Sequence, residues 1–364
     1  MVIGIDGNEA NVTRPVGVSV YALNLLKYFN KKATAQTQFK VFLRNYPLEH
    51  LPLENKFFKY EVVKGAFLWS QIFLPLRLYK KRDINVFFSP AHYLPRYCPV
   101  PTVVTIHDLA YLFFEKDFLK KDLFQLKFWT KYSVAKAKKI ISVSKTTKND
   151  LVKYYKIPEN KISVIYNGFE KSSKSKAEKL KIDTESHPYI LYVGTLQPRK
   201  NIPTLIAAFD KFHKLHPNFK LVIAGKKGWL YNGIFEKVTD LGLEDEVYFT
   251  DYITDNQLIF LYENAFCLVL PSFYEGFGLP VLEAMNYKCP TIISMTSSLP
   301  EIGGEASLYI DPEYAHDLVE KLIELKNNSD LRVDMIKKGL EQIKKFSWKD
   351  CGDKTLALIK STIV

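Results

Sequence analysis

Two carboxylates, Glu275 and Glu283, stand eight positions apart in the stretch Ser272–Met285, SFYEGFGLPVLEAM. Between them lie Gly276, Phe277, Gly278, Leu279 and Pro280, a turn followed by the start of a helix. An ionised glutamate only accepts hydrogen bonds, so one carboxylate in the loop and one in the helix can hold two sets of hydroxyls on one elongated ligand. The glycine turn falls at the positive end of that helix, where backbone amides are short of partners. A helix-capping role for Glu275 and a solvent-facing Glu283 would account for the same spacing. A second constellation is Arg199-Lys200, in YVGTLQPRKNIPTLIAAF (Tyr192–Phe209), just before a helix expected to begin near Pro203. Adjacent cations beside a helix N-terminus can neutralise a diphosphate, the arginine as a fork and the lysine as a point charge. A solvent-facing basic pair is the alternative. Two weaker signals complete the set. Gly17 stands at the start of the first helix in GNEANVTRPVGVSVYALNLL (Gly7–Leu26), where a glycine lets backbone amides approach an anion, although a glycine entering a helix is more often just a turn. His107 and Asp108 follow a strand in TIHDLAY (Thr105–Tyr111), and a histidine at a strand's carboxyl edge facing the cleft is a catalytic candidate, although a lone histidine is usually structural.

The elements that must position these residues alternate. VIGI (Val2–Ile5), FKVFL (Phe39–Leu43), INVFF (Ile84–Phe88), TVVTI (Thr102–Ile106), KIISV (Lys139–Val143) and ISVIY (Ile162–Tyr166) read as short buried strands. Helical spacing separates several of them, as in Ser19–Phe29, Phe118–Lys138 and Lys145–Tyr155. The stretch Glu170–His187, EKSSKSKAEKLKIDTESH, has no apolar period and reads as a linker. A second series follows, with strands at Tyr189–Gly194, Phe219–Gly225, Glu246–Thr250, Phe266–Pro271, Cys289–Ser294 and Ser307–Asp311. The helices between them are expected at Ile202–Leu215, Ile234–Leu241, Asn256–Glu263 and Val281–Asn286, and two or three more close the chain. Short buried strands alternating with helices predict an α/β protein of two Rossmann-like, doubly wound domains with a cleft between them. The expected boundaries are 1–170 for the first domain, 171–187 for the linker and 188–349 for the second, with a last helix at about 350–364 packing back on the first. Each candidate residue sits on a strand-to-helix connection, the place where open α/β sheets bind ligands.

Composition narrows the function classes. At 364 residues, 47% hydrophobic and 25% charged, the chain is long enough for two cores. The opening MVIGIDGNEA puts Asp6 and Glu9 where a signal peptide needs an apolar run, and Ala66–Leu76, AFLWSQIFLPL, is too short and too interrupted to span a bilayer. Cys98, Cys267, Cys289 and Cys351 form no Cys-x-x-Cys pair, so they read as reduced thiols of a cytoplasmic protein. The net charge of +12 is unevenly placed: residues 1–170 hold 27 Lys and Arg against 13 Asp and Glu (+14), and residues 171–364 hold 24 against 26 (−2). The first half is therefore expected to meet something anionic, or to present a lysine-rich solvated surface. Neither a nucleic-acid-binding signature nor the G-x-G-x-x-G dinucleotide fingerprint is present.

Taken together, the motifs resemble glycosyltransferase family four, the retaining GT-B transferases that use nucleotide-sugars. EGFGLPVLE is similar to the family's E-x7-E motif, VGTLQPRKN to its diphosphate-binding loop and VSVYALNLL to its first glycine loop. Leu299–Pro312 and Phe346–Leu356 resemble its tail, so the likeness covers nearly the whole chain. Leu68–Leu76, Asn85–Pro95 and TIHDLAY look most like bacterial mannosyltransferases of polysaccharide assembly.

The resemblance implies a donor held mainly by the second domain. Glu283 would take the ribose hydroxyls, Arg199 and Lys200 the diphosphate, and Glu275 with the amides of Gly276, Phe277, Gly278 and Leu279 the sugar. Gly17 would approach the phosphates, His107 would sit near the reactive end of the sugar, and Tyr252 and Ile253 would border the base. One departure stands at Asp251, where many relatives carry glycine. No Asp-x-Asp occurs in the chain, so no metal or other cofactor is expected, and charge on the leaving diphosphate falls to Arg199, Lys200 and helix N-termini. The implied partners are a GDP- or UDP-linked sugar, with mannose favoured, and a glycan or lipid-linked glycan acceptor; no nucleic acid is expected. Phe67–Arg82, FLWSQIFLPLRLYKKR, is expected either to touch the inner face of an anionic membrane or to form a core helix with a solvated end. A non-catalytic nucleotide-sugar-binding subunit is the rival reading, and His107 beside the cations and glutamates argues against it.

Overall fold

The computed structural model describes residues 1–15, 17–169, 177–180, 187–251 and 253–363. It divides into two units. One comprises Met1–Phe113, Leu119–Gly168 and Phe346–Val364, and the other Phe114–Phe118 with Phe169–Lys345. Of the expected linker, only 177–180 and His187 fall among the described residues.

In the first unit, Val-, Ile- and Phe-rich runs form β1 (Val2–Asp6), β2 (Gln38–Leu43), β3 (Phe58–Val62), β4 (Val86–Ser89), β5 (Thr102–Ile106), β6 (Lys139–Ser142) and β7 (Ile162–Val164). They make one sheet in the order β3-β2-β1-β4-β5-β6-β7, and each described pair is parallel. Strands β4 and β5 are buried on both faces, as helix-covered parallel strands must be. The helices are α1 (Val18–Lys32), α2 (Phe73–Lys81), α3 (Lys120–Lys136) and α4 (Lys145–Tyr155). The chain winds outward from β1 in both directions, so the switch point lies between β1 and β4.

The second unit contains β8 (Tyr189–Val193), β9 (Lys220–Ala224), β10 (Val247–Asp251), β11 (Cys267–Leu270), β12 (Thr291–Ser294) and β13 (Ser307–Ile310). Their order is β10-β9-β8-β11-β12-β13, again with parallel pairs. Around them run α5 (Ile202–Leu215), α6 (Asn232–Asp240), α7 (Asp255–Asn264), α8 (Leu279–Asn286), α9 (Leu299–Gly303), α10 (Ala315–Asn327) and α11 (Ser329–Gln342). Here the switch point lies between β8 and β11.

Three differences from the sequence reading have physical causes. Strand β3 was not expected, because Lys59 and Glu61 break its apolar pattern; it is an edge strand, and such strands carry charge. The second unit claims Phe114–Phe118, which the expected boundary left in the first. Phe114 stacks on Phe273 (ring centroids 6.4 Å apart) and Phe118 lies 5.8 Å from Trp229, so the helix expected from Phe118 begins only at Lys120. The return to the first unit begins at Phe346, and its helix, α12 (Trp348–Ser361), starts before position 350. Ser347 caps α12 by accepting from the Asp350 amide (3.1 Å), and Cys351, Leu356 and Ile359 join the first unit's core. Gly168 makes room for this crossing, since a Cβ there would lie 2.2 Å from the Trp348 backbone nitrogen.

Candidate active site

In the second unit, two loops about seventy residues apart are stitched together at the switch point. The loop after β8 makes a short 3-10 turn, Pro198–Lys200, which ends at Asn201 in a left-handed conformation (φ +56°). The Asn201 side-chain amide donates to the carbonyls of Pro271 (3.1 Å) and Pro312 (2.6 Å), and the Phe273 amide donates to the Arg199 carbonyl (3.0 Å). The loop after β11 is thereby pinned against the loop after β8. The outcome is one cluster of charge: Lys200 Nζ donates to Glu275 Oε1, and Arg199 Nη1 lies 3.8 Å from Glu275 Oε2. Arg199 also donates to the Tyr274 carbonyl (2.9 Å), and Ser272 Oγ donates to Glu275 Oε1 (2.8 Å).

Glu275 is only 8% exposed. Burial alone would raise its carboxyl, but Lys200, Arg199 and the Ser272 hydroxyl together hold it below its ordinary value. It is therefore an anion at neutral pH, and the two cations have a shared counter-charge. Asp117, from the Phe114–Phe118 segment, stands beside Arg199; burial raises its carboxyl, and the charge and backbone N–H of Arg199 oppose the rise.

Glu275 does not cap the helix. The cap of α8 is Gly278, at φ +105°, with Pro280 in the first turn. An L side chain at Gly278 would be strained, and its Cβ would come within 2.8 Å of Leu299. Ser298 Oγ donates to the carbonyls of Glu275 and Phe277 (2.9 Å each), and the Glu275 amide donates to Ser297 Oγ (2.9 Å), fixing the Gly276–Leu279 turn at the positive end of α8. Glu283, in α8, does not simply face water: Tyr262 of α7 donates to its Oε2 (2.8 Å). Burial pushes its carboxyl up, and the tyrosine hydrogen bond opposes that. Ile253 packs against the apolar cluster that includes Tyr262 and Tyr189. Asp251 holds φ +52° at a register shift in β10, a conformation that favours the glycine expected there. Tyr252 lies outside the described residues.

His107 and Gly17 belong to the first unit. His107, directly after β5, is buried (7% exposed), and its Nε2 donates to the Pro90 carbonyl (2.8 Å), the only role open to a ring nitrogen facing a carbonyl. Tyr21 meets the ring edge-on at 4.8 Å and His92 lies 5.7 Å away. Burial, reinforced by His92, pushes the imidazole down to about 4. Near neutral pH the ring is therefore uncharged, with Nδ1 left as an acceptor. Gly17 caps α1 at φ +50° with open space around its α-carbon, so its glycine identity comes from the backbone and not from crowding.

Sequence reasoning missed Ser272, Tyr262, Asn201 and Asp117. Ser272 lay inside the quoted motif. Tyr262 and Asp117 reach the site from positions that no local spacing connects to it.

Known proteins bear on this geometry. The family description "Glycosyltransferase Family 4" matches residues 15–172, and "Glycosyl transferases group 1" matches residues 173–342. The chain is 30% identical over 285 residues to the O-antigen chain mannosyltransferase B of Escherichia coli, covering 76% of this chain and 74% of that one. It is 34% identical over 211 residues to the O-antigen chain mannosyltransferase RfbU of Salmonella typhimurium, covering 58% and 56%. Among solved structures, sucrose-phosphate synthase from Thermosynechococcus elongatus superposes with a TM-score of 0.78 at 20% identity, over 99% of this chain and 98% of that one. The HepE protein of Anabaena, solved in complex with UDP-glucose, gives 0.76 at 16% identity, over 99% of each chain. Both likenesses place the fold among the GT-B structures.

Proposed function

Because the chain belongs to the family-four glycosyltransferases, we propose that it is a retaining, metal-independent hexosyltransferase that moves mannose from GDP-mannose to a hydroxyl of a glycan or lipid-linked glycan. The observation that carries this reading is the Lys200–Glu275–Arg199 cluster at the β8/β11 switch point. A diphosphate entering there meets two cations and the positive end of α8, which together stabilise the charge of the departing nucleotide. Glu275, held as an anion, accepts hydroxyls of the transferred sugar beside the Gly276–Leu279 turn. Glu283, oriented by Tyr262, accepts those of the ribose. Gly17 approaches the phosphates, Ile253 and Tyr252 border the base, and His107 offers the sugar a neutral acceptor in place of a proton. Mannose is supported by the names of the two curated relatives. The test is a panel of nucleotide-sugars, read by release of nucleoside diphosphate. GDP-mannose is expected to turn over with acceptor present and to persist in EDTA, with the anomeric configuration retained. Turnover abolished by EDTA would overturn the metal-independent assignment, and an exclusive preference for a UDP-sugar would overturn the donor.

The acceptor side is expected to work at an anionic membrane. Helix α3 buries only Thr130, Ser133 and Val134, and leaves Phe124 (68% exposed) and Phe128 (51%) stacked on its outer face among Lys120, Lys121, Lys127 and Lys131. Helix α2 belongs to both alternatives read from its sequence. Arg77 is buried in ion pairs with Glu61 and Asp83, while Leu76 and Tyr79 are exposed beside Lys80 and Lys81. Exposed aromatics ringed by lysine suit the interface of an anionic bilayer. In flotation, the protein is expected to rise with phosphatidylglycerol-containing liposomes and to stay down with purely zwitterionic ones, and Phe124→Ser with Phe128→Ser should weaken the association. Equal behaviour with both lipids would remove the membrane from this account.

A further inference from the structure

The loop from β12 to α9, residues 295–298, sets three consecutive hydroxyl side chains against the backbone of the loop that carries Glu275. Thr296 Oγ1 donates to the Ser272 carbonyl (3.2 Å), and Ser297 Oγ accepts from the Glu275 amide (2.9 Å). Ser298 Oγ shares its single hydrogen between the Glu275 and Phe277 carbonyls (2.9 Å each). Ser298 stands at the N-cap of α9, where a serine ordinarily bonds an amide of its own helix. Here it makes no such bond, and its fully buried hydroxyl serves another loop instead. Ser297 holds φ +54°, a left-handed backbone that is uncommon outside glycine. Both serines depart from their local preference to reach the same stretch of chain.

That stretch consists of peptide planes whose other edges matter. In a trans peptide the N–H points opposite to the carbonyl. Drawing the Glu275 and Phe277 carbonyls to Ser298 therefore turns the amides of Gly276 and Gly278 the other way. Among the described residues neither amide meets an acceptor, although Gly278 is buried. A buried amide without a partner is rare in a folded protein and is accounted for by an acceptor that arrives with a ligand. Ser297 governs the neighbouring plane. It takes the Glu275 N–H, while Arg199 Nη1 donates to the Tyr274 carbonyl on the opposite edge (2.9 Å). One hydroxyl aims two amides, and the other steadies the carbonyl that orients Arg199.

We propose that Ser297 and Ser298 are positioning residues for sugar transfer, Ser298 aiming the Gly276 and Gly278 amides at the donor sugar. The inference rests on the transferase reading and deepens it by adding residues that act through the turn and not on the substrate. Ser298→Ala is expected to lower kcat for transfer from GDP-mannose by about ten- to a hundredfold, as a small misplacement of a binding group does, with GDP affinity unchanged. Ser298→Thr, which keeps the hydroxyl, should recover most of the rate. Ser294→Ala removes an equally buried hydroxyl from the end of β12, one with no partner among the described residues, and should leave transfer as it is. Native turnover in Ser298→Ala overturns the proposal, as does GDP affinity that falls in step with the rate. An equal loss in Ser294→Ala, or a folded Ser298→Thr no faster than Ser298→Ala, overturns it too. If Ser298→Ala does not fold by circular dichroism, Ser297→Gly decides, since glycine suits the left-handed backbone: it should fold and transfer slowly, and native turnover would strike the proposal. An amide NMR spectrum of protein labelled only at glycine needs no turnover. Ser298→Ala is expected to move the Gly276 and Gly278 peaks, and unmoved peaks overturn the proposal. Native protein that releases no GDP from GDP-mannose strikes the transferase reading instead, and the glycine spectrum then decides on the serines alone.

Discussion

Replacing Lys200 by methionine is expected to lower sugar transfer by about 10²–10³-fold, the usual loss when one preorganised electrostatic contact to a developing charge is removed. Methionine keeps the length and apolar bulk of the side chain, so the change isolates the ammonium. The same substitution should cost about 3–5 kcal/mol of stability at neutral pH, because it strands Glu275 as a buried anion with Arg199 only 3.8 Å away as its remaining cation. Purified variant, assayed for transfer and melted with and without GDP, checks both numbers. A variant that melts normally and turns over normally would remove Lys200 from the site.

The pH dependence separates the two effects. In the native protein the folded Glu275 carboxyl lies below its unfolded value, since Lys200 and Arg199 outweigh burial. A depressed carboxyl contributes stability above the unfolded value and loses it as pH falls through the folded one. In Lys200→Met the main opposing charge is gone and burial pushes the carboxyl up. Its protonated form is then the one the fold favours, so the destabilisation relative to the native protein should shrink on acidification. Rate should not recover in step, because the diphosphate still lacks its cation. A stability gap that stays constant through the acid range would show that Glu275 was not responsible for it.

Much of this site is legible residue by residue and illegible as a cluster. Arg199, Lys200 and Glu275 each lie after a buried apolar run, and alternation of strand and helix signals places such residues at the carboxyl edge of a sheet. Their mutual contact depends on β8 and β11 being neighbours, although β9 and β10 intervene in the chain. No local pattern carries that order. Glu283 lies on a helix whose register is readable, yet its partner Tyr262 sits on another helix, and a side chain in its pair can be told from one in water only by packing. His107 shows the same limit in its electrostatics. Its place after β5 follows from TVVTI, whereas its neutrality comes from burial and His92, which outweigh the hydrogen bond to Pro90, and none of these is in the motif. At the chain's end, the apolar spacing of α12 reads as a helix with one buried face, and what it is buried against is decided by Gly168 and Trp348, which lie far apart in sequence.

Replacing Glu275 by glutamine is expected to separate binding from turnover, moving them in opposite directions. The amide matches the carboxylate in shape and still accepts from Ser272 and Lys200, but it no longer neutralises Lys200 and Arg199. Without a counter-ion the two half-buried cations should attract the nucleoside diphosphate more strongly, so GDP affinity rises. The sugar loses a charged acceptor for its hydroxyls, and a hydrogen bond to a charged group is about twice as strong as a neutral one, so transfer falls by about ten- to a hundredfold. Free protein should melt earlier than the native form, and GDP should restore more of its stability than it adds to the native chain, since the ligand supplies the missing negative charge. Calorimetric titration with GDP, set beside kcat and KM for transfer, reads all three. Weaker GDP binding in the variant would mean that Glu275 orders the phosphate loop and does not compete with the phosphates for its cations, and unchanged kcat would take it away from the sugar altogether.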